Sequence, residues 1–170
     1  GFGPFAAGVT PTSASEHATS IPWLFLTGAA TGRSMTAEAA RRDGRAAVRG
    51  LLGRTEHVPI RDVPAVVGGA GACGWAGMTE DEARASGQST LTGRARLPGR
   101  GALLPGFVKV VGAQGSRRLL GVHVAGQGRE AVTLGAALVE LGASLDDLAA
   151  MAFPPGPAQS LVDAAASASA

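Results

Sequence analysis

The stretch GFVKVVGAQGSRRLLGVHVAG, residues 106–126, contains two short runs that are rich in valine and leucine. The polar segment Ala-Gln-Gly-Ser at 113–116 separates these runs and is typical of a hairpin turn. Short runs of β-branched residues favour strands, because branched side chains pack well on a pleated surface. The stretch therefore predicts two antiparallel strands joined by a tight turn.

Helices are predicted after this hairpin. Apolar residues recur at helical spacing over 129–141, and Gly142 follows as the expected C-terminal glycine. Ser144 is placed to cap a further helix, which the prolines of 153–157 must end. The alanine-rich segment 161–170 predicts a short helix with a frayed end. The hairpin is thus followed by two well-defined helices and a weaker third one.

Three elements are predicted before the hairpin. Residues 63–67 favour a strand, Thr79 and Glu82 form a capping box that opens a short helix, and residues 89–97 favour another strand. The resulting order is β-α-β-β-β-α-α. This order predicts the α+β class, an antiparallel sheet with helices packed on one side.

The first third of the chain has a different pattern. The apolar run 23–27 predicts a buried strand, and the helical spacing that follows predicts a helix ended by Gly53. The apolar positions expected on its inner face are Ala37, Ala40, Val48, Leu51 and Leu52. Segment 54–62, with a proline at its centre, is interpreted as a linker. We therefore expect two domains, residues 1–55 and 60–170.

The composition bounds the size and the charge of the molecule. The chain has 170 residues, 45% of them hydrophobic, which suits one medium domain, or one small domain plus part of another. With 15 basic and 13 acidic residues, the net charge is only +2. Glu38 and Asp43 dilute the arginines between residues 41 and 54, so a solvated helix face is favoured over a nucleic-acid surface.

Few residues suit metal or redox chemistry. The single cysteine, Cys73, excludes a disulfide or a redox pair within the chain, and we interpret it as a small buried hydrophobic residue. His17, His57 and His123 lie too far apart in sequence for metal-ligand spacing. No apolar run approaches the roughly 18–20 residues of a membrane span, and no signal segment is recognised, so we expect a cytoplasmic protein without a membrane partner.

The segment AVVGGAGACGWAG, residues 65–77, contains a G-x-G-x-x-G pattern after a predicted strand. The three glycines of the pattern are Gly69, Gly71 and Gly74. In a dinucleotide site a helix begins inside the pattern, but here the helix signal is Thr79, five residues beyond the last glycine. The acidic residue expected about 20 residues further on is replaced by Arg94 and Arg96. We therefore favour a glycine-rich strand or bulge over a nucleotide site.

Several stretches, taken in order, resemble the flavin-dependent pyridine nucleotide–disulfide oxidoreductases, the family of dihydrolipoamide dehydrogenase and mercuric reductase. TSIPWLFLTGAATGRSMTAEAARRDGRAAVRGLLG at 19–53 resembles the end of the family's flavin domain, and GFGPFAAGV at 1–9 resembles a loop just before it. VPAVVGGAGACGWAGMTEDEARASG at 63–87 resembles the family's I-P-x-V-V-F-T-D-P-E-V-A-x-V-G-L-T-E-E-E-A. Residues 106–155 match the strand–strand–helix–helix run that closes its dimerisation domain. The resemblance implies a remnant of the flavin domain followed by a whole dimerisation domain.

The resemblance also implies where a flavin would be contacted. The five positions are Gly28, Ala29, Met35, Thr36 and Ala37. Ala29 replaces the aspartate that hydrogen-bonds the ribityl chain in the family, and a methyl group accepts no hydrogen bond. Backbone N–H groups at 35–37 could still face a flavin, but an ordinary helix start is favoured. The family uses FAD, and we expect no tightly bound flavin in this chain alone.

The family's catalytic pair, H-P-x-x-x-E, is contributed across the dimer. Its histidine falls at Pro154 or Pro155, and its glutamate at Gln159 or Ser160. None of these side chains titrates near neutral pH. The polar T-D-P-E loop of the family is replaced by the glycines and alanines of 69–72. The family's redox C-x-x-x-x-C motif also has no counterpart, since the chain has one cysteine.

Three functions are compatible with these observations. The first is a catalytically inactive dimerisation domain that forms a homodimer or docks onto a fuller reductase chain, in the setting of cell redox homeostasis. The second is the C-terminal fragment of an active FAD- and NAD(P)-dependent oxidoreductase whose upstream domains are missing. The third is an arginine-rich module for an acidic partner, which a steep salt dependence of binding would reveal.

Overall fold

The computed structural model describes residues 18–21, 23–31, 36–53, 63–69, 72–98 and 105–168, and the chain forms two units, Gly1–Val63 and Pro64–Ala170. The linker predicted at 54–62 lies outside the described residues. The first unit contains a short 3-10 helix, Gly28–Thr31, and helix α1, Ala37–Leu51. The hydroxyl of Thr36 caps α1 by accepting the N–H of Ala39 at 3.3 Å. Gly53 follows with a φ of 70°, which glycine adopts without strain.

The predicted strand at 23–27 is wrong. In the described part of the first unit this run makes only an isolated bridge between Ala18 and Phe25, and Trp23 is 78% exposed. A strand needs a neighbour along most of its length to pair its backbone groups, and one bridge does not supply it. The run instead leads into the 3-10 helix.

The predicted inner face of α1 is wrong except at Ala40, which is partly buried. The buried residues of this helix are Ala39, Asp43 and Ala47, whereas Val48, Leu51 and Leu52 are all more than half exposed. Close packing explains why small residues of α1 are the buried ones, because a Cβ atom on Gly28 would lie 2.8 Å from the Cβ of Ala40. Only a stripe of small side chains lets the 3-10 helix approach α1 this closely. The Asp43 carboxylate shares that buried stripe because it accepts a backbone hydrogen bond from Gly28.

The second unit is built on a five-stranded antiparallel sheet with the order β1-β2-β5-β4-β3. The strands are β1 Ala65–Val67, β2 Cys73–Gly77, β3 Thr90–Leu97, β4 Gly106–Ala113 and β5 Leu119–Ala125. The hairpin predicted at 106–126 is confirmed as β4 and β5. Strand β2 is absent from the predicted order, because Cys-Gly-Trp-Ala-Gly has two glycines and no β-branched residue to signal a strand.

Four helices complete the second unit. They are α2 Glu80–Ala85, α3 Arg129–Leu141, α4 Leu145–Ala149 and α5 Pro157–Ser167. The predicted caps are confirmed: Thr79 and Glu82 form the capping box of α2, Ser144 and Asp147 form that of α4, and Gly142 ends α3 with a φ of 72°. The hydroxyl and the backbone N–H of Ser144 hold the pKa of Asp147 below its usual value.

Helices α3 and α5 pack against each other and cover one face of the sheet, which confirms the predicted α+β architecture. The largest side chains sealed between them and the sheet are Val108, Val110, Leu119, Val122, Val132, Leu145, Leu148 and Leu161. Helix α5 differs from the prediction of a frayed helix at 161–170, since it starts at Pro157 and buries Leu161, Val162, Ala164 and Ala165. Alanine gives a helix little apolar signal in sequence, but it lets the backbone of α5 lie close to the sheet.

Candidate functional site

The segment between α4 and α5, together with the first turn of α5, holds the positions where the family resemblance places a catalytic pair. Pro154 and Pro155 are exposed, and proline has no side-chain group that exchanges a proton. Gln159 and Ser160 lie near the start of α5, whose first helical residue is Pro157. Proline is favourable there, because its ring presets the helical φ angle. The segment is thus organised as the start of a helix.

Gln159 joins the loop to the helix through both ends of its side-chain amide. Its Oε1 accepts the backbone N–H of Phe153 at 2.9 Å, and its Nε2 donates to Oδ1 of Asp163 at 2.9 Å. The first bond closes the proline-rich loop onto α5, and the second is an i,i+4 pair along the helix. The amide therefore holds the loop in place and transfers no proton.

Ser160 is buried, with 5% of its surface exposed. Its Oγ lies 3.1 Å from the carbonyl oxygen of Arg96 and 3.3 Å from that of Gly156, and its single proton can serve one of them at a time. A nucleophilic serine needs a base that removes this proton, and a peptide carbonyl does not act as one. The hydroxyl of Ser160 is therefore a structural donor.

The predicted flavin-contact positions lie in the first unit, with Met35 outside the described residues. The backbone N–H and the backbone carbonyl of Gly28 are both hydrogen-bonded within the chain. Its N–H donates to Oδ2 of Asp43 at 3.0 Å, and its carbonyl accepts from Oγ1 of Thr31 at 2.7 Å. Sequence reasoning treated Asp43 only as a surface charge, and no sequence signal separated it from the neighbouring polar residues. Its carboxylate fixes the Gly28 turn.

The other described positions do not fit a flavin held as the resemblance implies. Ala29 is exposed and offers no side-chain acceptor. The hydroxyl of Thr36 is already used to cap α1, and Ala37 adds only backbone at the first helical position. The carboxylate of Glu38 lies in the first turn, where it already complements the positive end of the helix dipole.

The glycine pattern at 69–74 does not open a helix. Gly71 lies outside the described residues, while Gly74 lies in β2 and pairs with Val66 on one side and Val124 on the other. A Cβ atom on Gly74 would lie 2.8 Å from Cγ2 of Val132, so the missing side chain lets α3 approach the sheet. The next helix begins only at Glu80. The glycine thus serves strand packing, as predicted.

The sheet face opposite the core, here called the open face, carries Trp75, Phe107, Lys109 and His123 on paired strands. Trp75 is 39% exposed and Phe107 is 43% exposed. Nζ of Lys109 lies 2.6 Å from Oε2 of Glu80, and the hydrogen bond from this ammonium group holds the pKa of Glu80 below its usual value. Sequence reasoning missed this ion pair, although Lys109 is the only lysine and lies within an apolar strand.

His123 is half-buried beside this ion pair. Its Nε2 donates to the carbonyl oxygen of Met78 at 3.0 Å. Burial lowers the pKa of His123, the nearby Lys109 charge lowers it further, and the Met78 hydrogen bond opposes both effects. The neutral imidazole therefore acts as a link between β5 and the residue that follows β2.

This lowered pKa predicts a loss of stability in mild acid. Between the folded-state pKa and the ordinary value of 6.5, the unfolded chain binds more protons at position 123, so unfolding becomes easier as the pH falls through that window. We expect the contribution of His123 to the free energy of unfolding to be fully present above pH 6.5. Urea unfolding of the wild type and of His123→Gln from pH 8 to pH 5 measures it. A difference in free energy of unfolding between the two proteins that does not change with pH would contradict the prediction.

Other site types find no support in the described parts of the chain. No group of three or more His, Cys, Asp or Glu residues there could hold a metal ion. Cys73 is a free, partly buried cysteine. None of the described helices is long and apolar enough to cross a membrane.

Comparison with known proteins gives one matching family model and a set of relatives. The family model "Pyridine nucleotide-disulphide oxidoreductase, dimerisation domain" matches residues 63–165. Dihydrolipoyl dehydrogenase 3 of Haloarcula marismortui is 29% identical over 149 residues, which are 84% of this chain and 31% of that protein. The mitochondrial dihydrolipoyl dehydrogenase of Rattus norvegicus is 30% identical over 137 residues, 77% of this chain and 27% of that protein. The chain thus spans less than a third of each of these relatives.

Two solved structures share the fold. The crystal structure of LpdA from Mycobacterium tuberculosis superposes with a TM-score of 0.73 at 23% identity, covering 89% of this chain and 35% of that one. A NAD-dependent persulfide reductase from A. fulgidus superposes with a TM-score of 0.67 at 18% identity, covering 89% of this chain and 32% of that one. At these identities the two structures support the architecture alone.

Proposed function

This chain belongs to the pyridine nucleotide-disulphide oxidoreductase family and carries its dimerisation domain, and from that premise we propose that it works by association and has no catalytic activity of its own. Its partner is a second copy of the chain or a longer dihydrolipoamide dehydrogenase-like reductase chain. The observation that carries the proposal is a contrast within the second unit. Its described residues form a five-stranded sheet and four helices, while the catalytic-pair positions hold Pro154 and Pro155, which have no titratable group, and Gln159 and Ser160, whose side chains bond within the domain.

The proposed association surface lies on the strands and helices of residues 106–150. Two large apolar side chains there are exposed in the single chain: Leu141 at the end of α3 is 82% exposed, and Phe107 in β4 is 43% exposed. Phe107 also lies under the guanidinium group of Arg94, whose Cζ is 5.7 Å from the ring centroid. Aromatic residues and arginine are enriched in protein interfaces, and the fully buried centre of an interface is more apolar than the rest of the surface.

The first prediction from this proposal concerns mass in solution. At micromolar concentration, light scattering is expected to give a mass above that of one chain. Leu141→Lys should shift the chain toward a monomer, because it places a charge in the apolar surface, while circular dichroism stays unchanged since the side chain is exposed. Leu52→Lys, at an exposed leucine of the first unit, is the matched control. A purely monomeric wild type that also fails to bind a dihydrolipoyl dehydrogenase would contradict the proposal.

A second prediction concerns flavin and activity. The chain purified alone is expected to lack the visible absorbance bands of FAD and to show no NAD(P)H-dependent disulfide reduction, because Ala29 offers no acceptor for the ribityl chain and the chain has one cysteine. A full-length dihydrolipoyl dehydrogenase treated in parallel serves as the positive control. A yellow protein that retains stoichiometric FAD through gel filtration would overturn this prediction.

The alternative is the C-terminal fragment of an active FAD- and NAD(P)-dependent oxidoreductase. It is supported by the partial coverage of the relatives, since the chain matches only 31% and 27% of the two described above. The coding sequence just upstream of Gly1 discriminates between the two functions. A G-x-G-x-x-G motif after a strand and a C-x-x-x-x-C motif would favour the enzyme. With either function, we propose a cytoplasmic location and a role in redox homeostasis.

A further inference from the structure

Strand β3 lies at an edge of the sheet, and helix α5 runs along it. Edge strands carry unpaired backbone groups that can pair with a strand of another molecule. Here β3 spans eight residues, against three for β1 at the opposite edge. The outer edge of β3 is therefore the longer of the two surfaces at which a further strand could add to this sheet.

Two serines of α5 bond to that edge. The backbone N–H of Arg94 donates to Oγ of Ser167 at 2.9 Å. The same Oγ lies 2.8 Å from the carbonyl oxygen of Ala164 in its own helix and 3.1 Å from that of Arg94, and its single proton serves one of them at a time. Two residues along the strand, the carbonyl of Arg96 lies 3.1 Å from Oγ of Ser160. Alternate residues of an edge strand point their backbone groups outward, so the two serines meet successive outward positions. These backbone groups are the ones that an added strand would use.

The spacing and the packing make this arrangement possible. Ser160 and Ser167 are seven residues apart, about two helical turns, so both lie on one side of α5. Gly93, next to Arg94 in β3, has no side chain, and a Cβ atom there would lie 2.7 Å from the backbone nitrogen of Ala168 and 2.8 Å from Oγ of Ser167. The backbone of α5 therefore lies close enough to β3 for short hydroxyl side chains to reach its edge.

We propose that Ser160 and Ser167 close the outer edge of β3 against strand addition by a second copy of this chain. Self-association is thereby restricted to other surfaces of the domain. Arg94 and Arg96 add to the effect, because both side chains are exposed and would meet like charges if two copies of β3 paired antiparallel. This inference goes beyond the proposed association function and does not depend on it, since it concerns the backbone edge of β3, which is not part of the association surface proposed at residues 106–150.

Hydrogen exchange at the Arg94 amide tests the closure directly. In Ser167→Ala the exchange of this one amide is expected to be roughly fivefold faster, the factor for a net hydrogen bond, while Ser167→Thr keeps the hydroxyl and the slow exchange. Ser86→Ala is the matched control, because the Ser86 hydroxyl donates to the carbonyl of Ala83 and accepts from Nε2 of Gln88 at 3.4 Å, two partners that lie within three residues of it in sequence. Unchanged exchange at Arg94 in Ser167→Ala would overturn the proposal. Since Ser167 is exposed, this variant is expected to fold.

The size of the assemblies that the chain forms tests whether the closed edge prevents strand addition. The double variant Ser160→Ala/Ser167→Ala is expected to form larger species than the wild type as concentration rises, measured by light scattering, with added β-sheet signal in the infrared. Adding Arg96→Thr should increase this assembly, because it removes a charge that opposes pairing. Arg94 is kept, because its guanidinium group lies against Phe107 in the proposed association surface. If the triple variant shows the mass and infrared spectrum of the wild type, the proposal is wrong.

Discussion

Gly93→Ala is expected to destabilise the second unit by about 3 kcal/mol or more, the upper range for an overpacked core position. The added methyl group would overlap the carbonyl oxygen of Ala164 and lie 2.7 Å from the backbone nitrogen of Ala168. Both groups belong to the backbone of α5, so no side-chain rotation relieves the contact. The helix must move away from β3, and it then loses the packing of its buried face. Urea unfolding followed by circular dichroism measures the change.

Gly115→Ala is the control for this substitution. Gly115 lies in the turn between β4 and β5, and a Cβ atom there would meet nothing within 4 Å. The same chemical change should therefore alter the free energy of unfolding by less than about 0.5 kcal/mol, the usual range for an unremarkable surface site. Equal effects at positions 93 and 115 would show that α5 does not pack on β3 as described.

Leu161→Ala is expected to cost about 2–5 kcal/mol, the range for deleting a buried leucine side chain. Leu161 has no exposed surface and lies in the core between α5 and the sheet, together with Leu148 of α4 and Val108 of β4. Losing three carbon atoms there removes apolar burial and leaves a cavity, because close-packed neighbours relax only partly. The urea midpoint of unfolding should fall, while the slope of the unfolding free energy against urea concentration should stay unchanged if this unit still unfolds cooperatively.

The matched control is Leu52→Ala in the first unit, where the leucine is 68% exposed. The same atoms are deleted without forming a cavity, so the change should stay within about 0.5 kcal/mol. If Leu161→Ala were as mild as this control, α5 would be the frayed terminal helix that its sequence suggested.

The parts of the fold that sequence predicts well are those with a strong local signal. Val108, Val110 and Val122 mark β4 and β5 by their β-branched side chains, and the Thr79–Glu82 pair marks the start of α2 by its capping chemistry. Strand β2 and helix α5 carried weak signals, since glycine and alanine dominate them. In both elements a small residue permits close approach of another element, which depends on the tertiary structure and has no local pattern.

The candidate site shows the same limit. Sequence alone showed that positions 154, 155, 159 and 160 lack titratable groups, because that conclusion needs only the residue types. It did not predict that Gln159 would join Phe153 to Asp163, or that Ser160 would reach Arg96 of a strand more than sixty positions earlier. The burial of Asp43 was hidden for the same reason, since its partner Gly28 is fifteen positions away in sequence.

The two hydrogen bonds of the Gln159 side chain have a consequence for substitution, because they make a carboxylate unfavourable at this position. Changing Gln159 to glutamate would remove the donor that now faces Asp163 and set two carboxylates against each other at a 2.9 Å contact. Changing Ser160 to glutamate would instead place a longer, charged side chain at a position that is 5% exposed. A carboxylate at either position therefore requires that a stabilising contact of this loop be broken, so the loop as it is built disfavours an acidic residue at both.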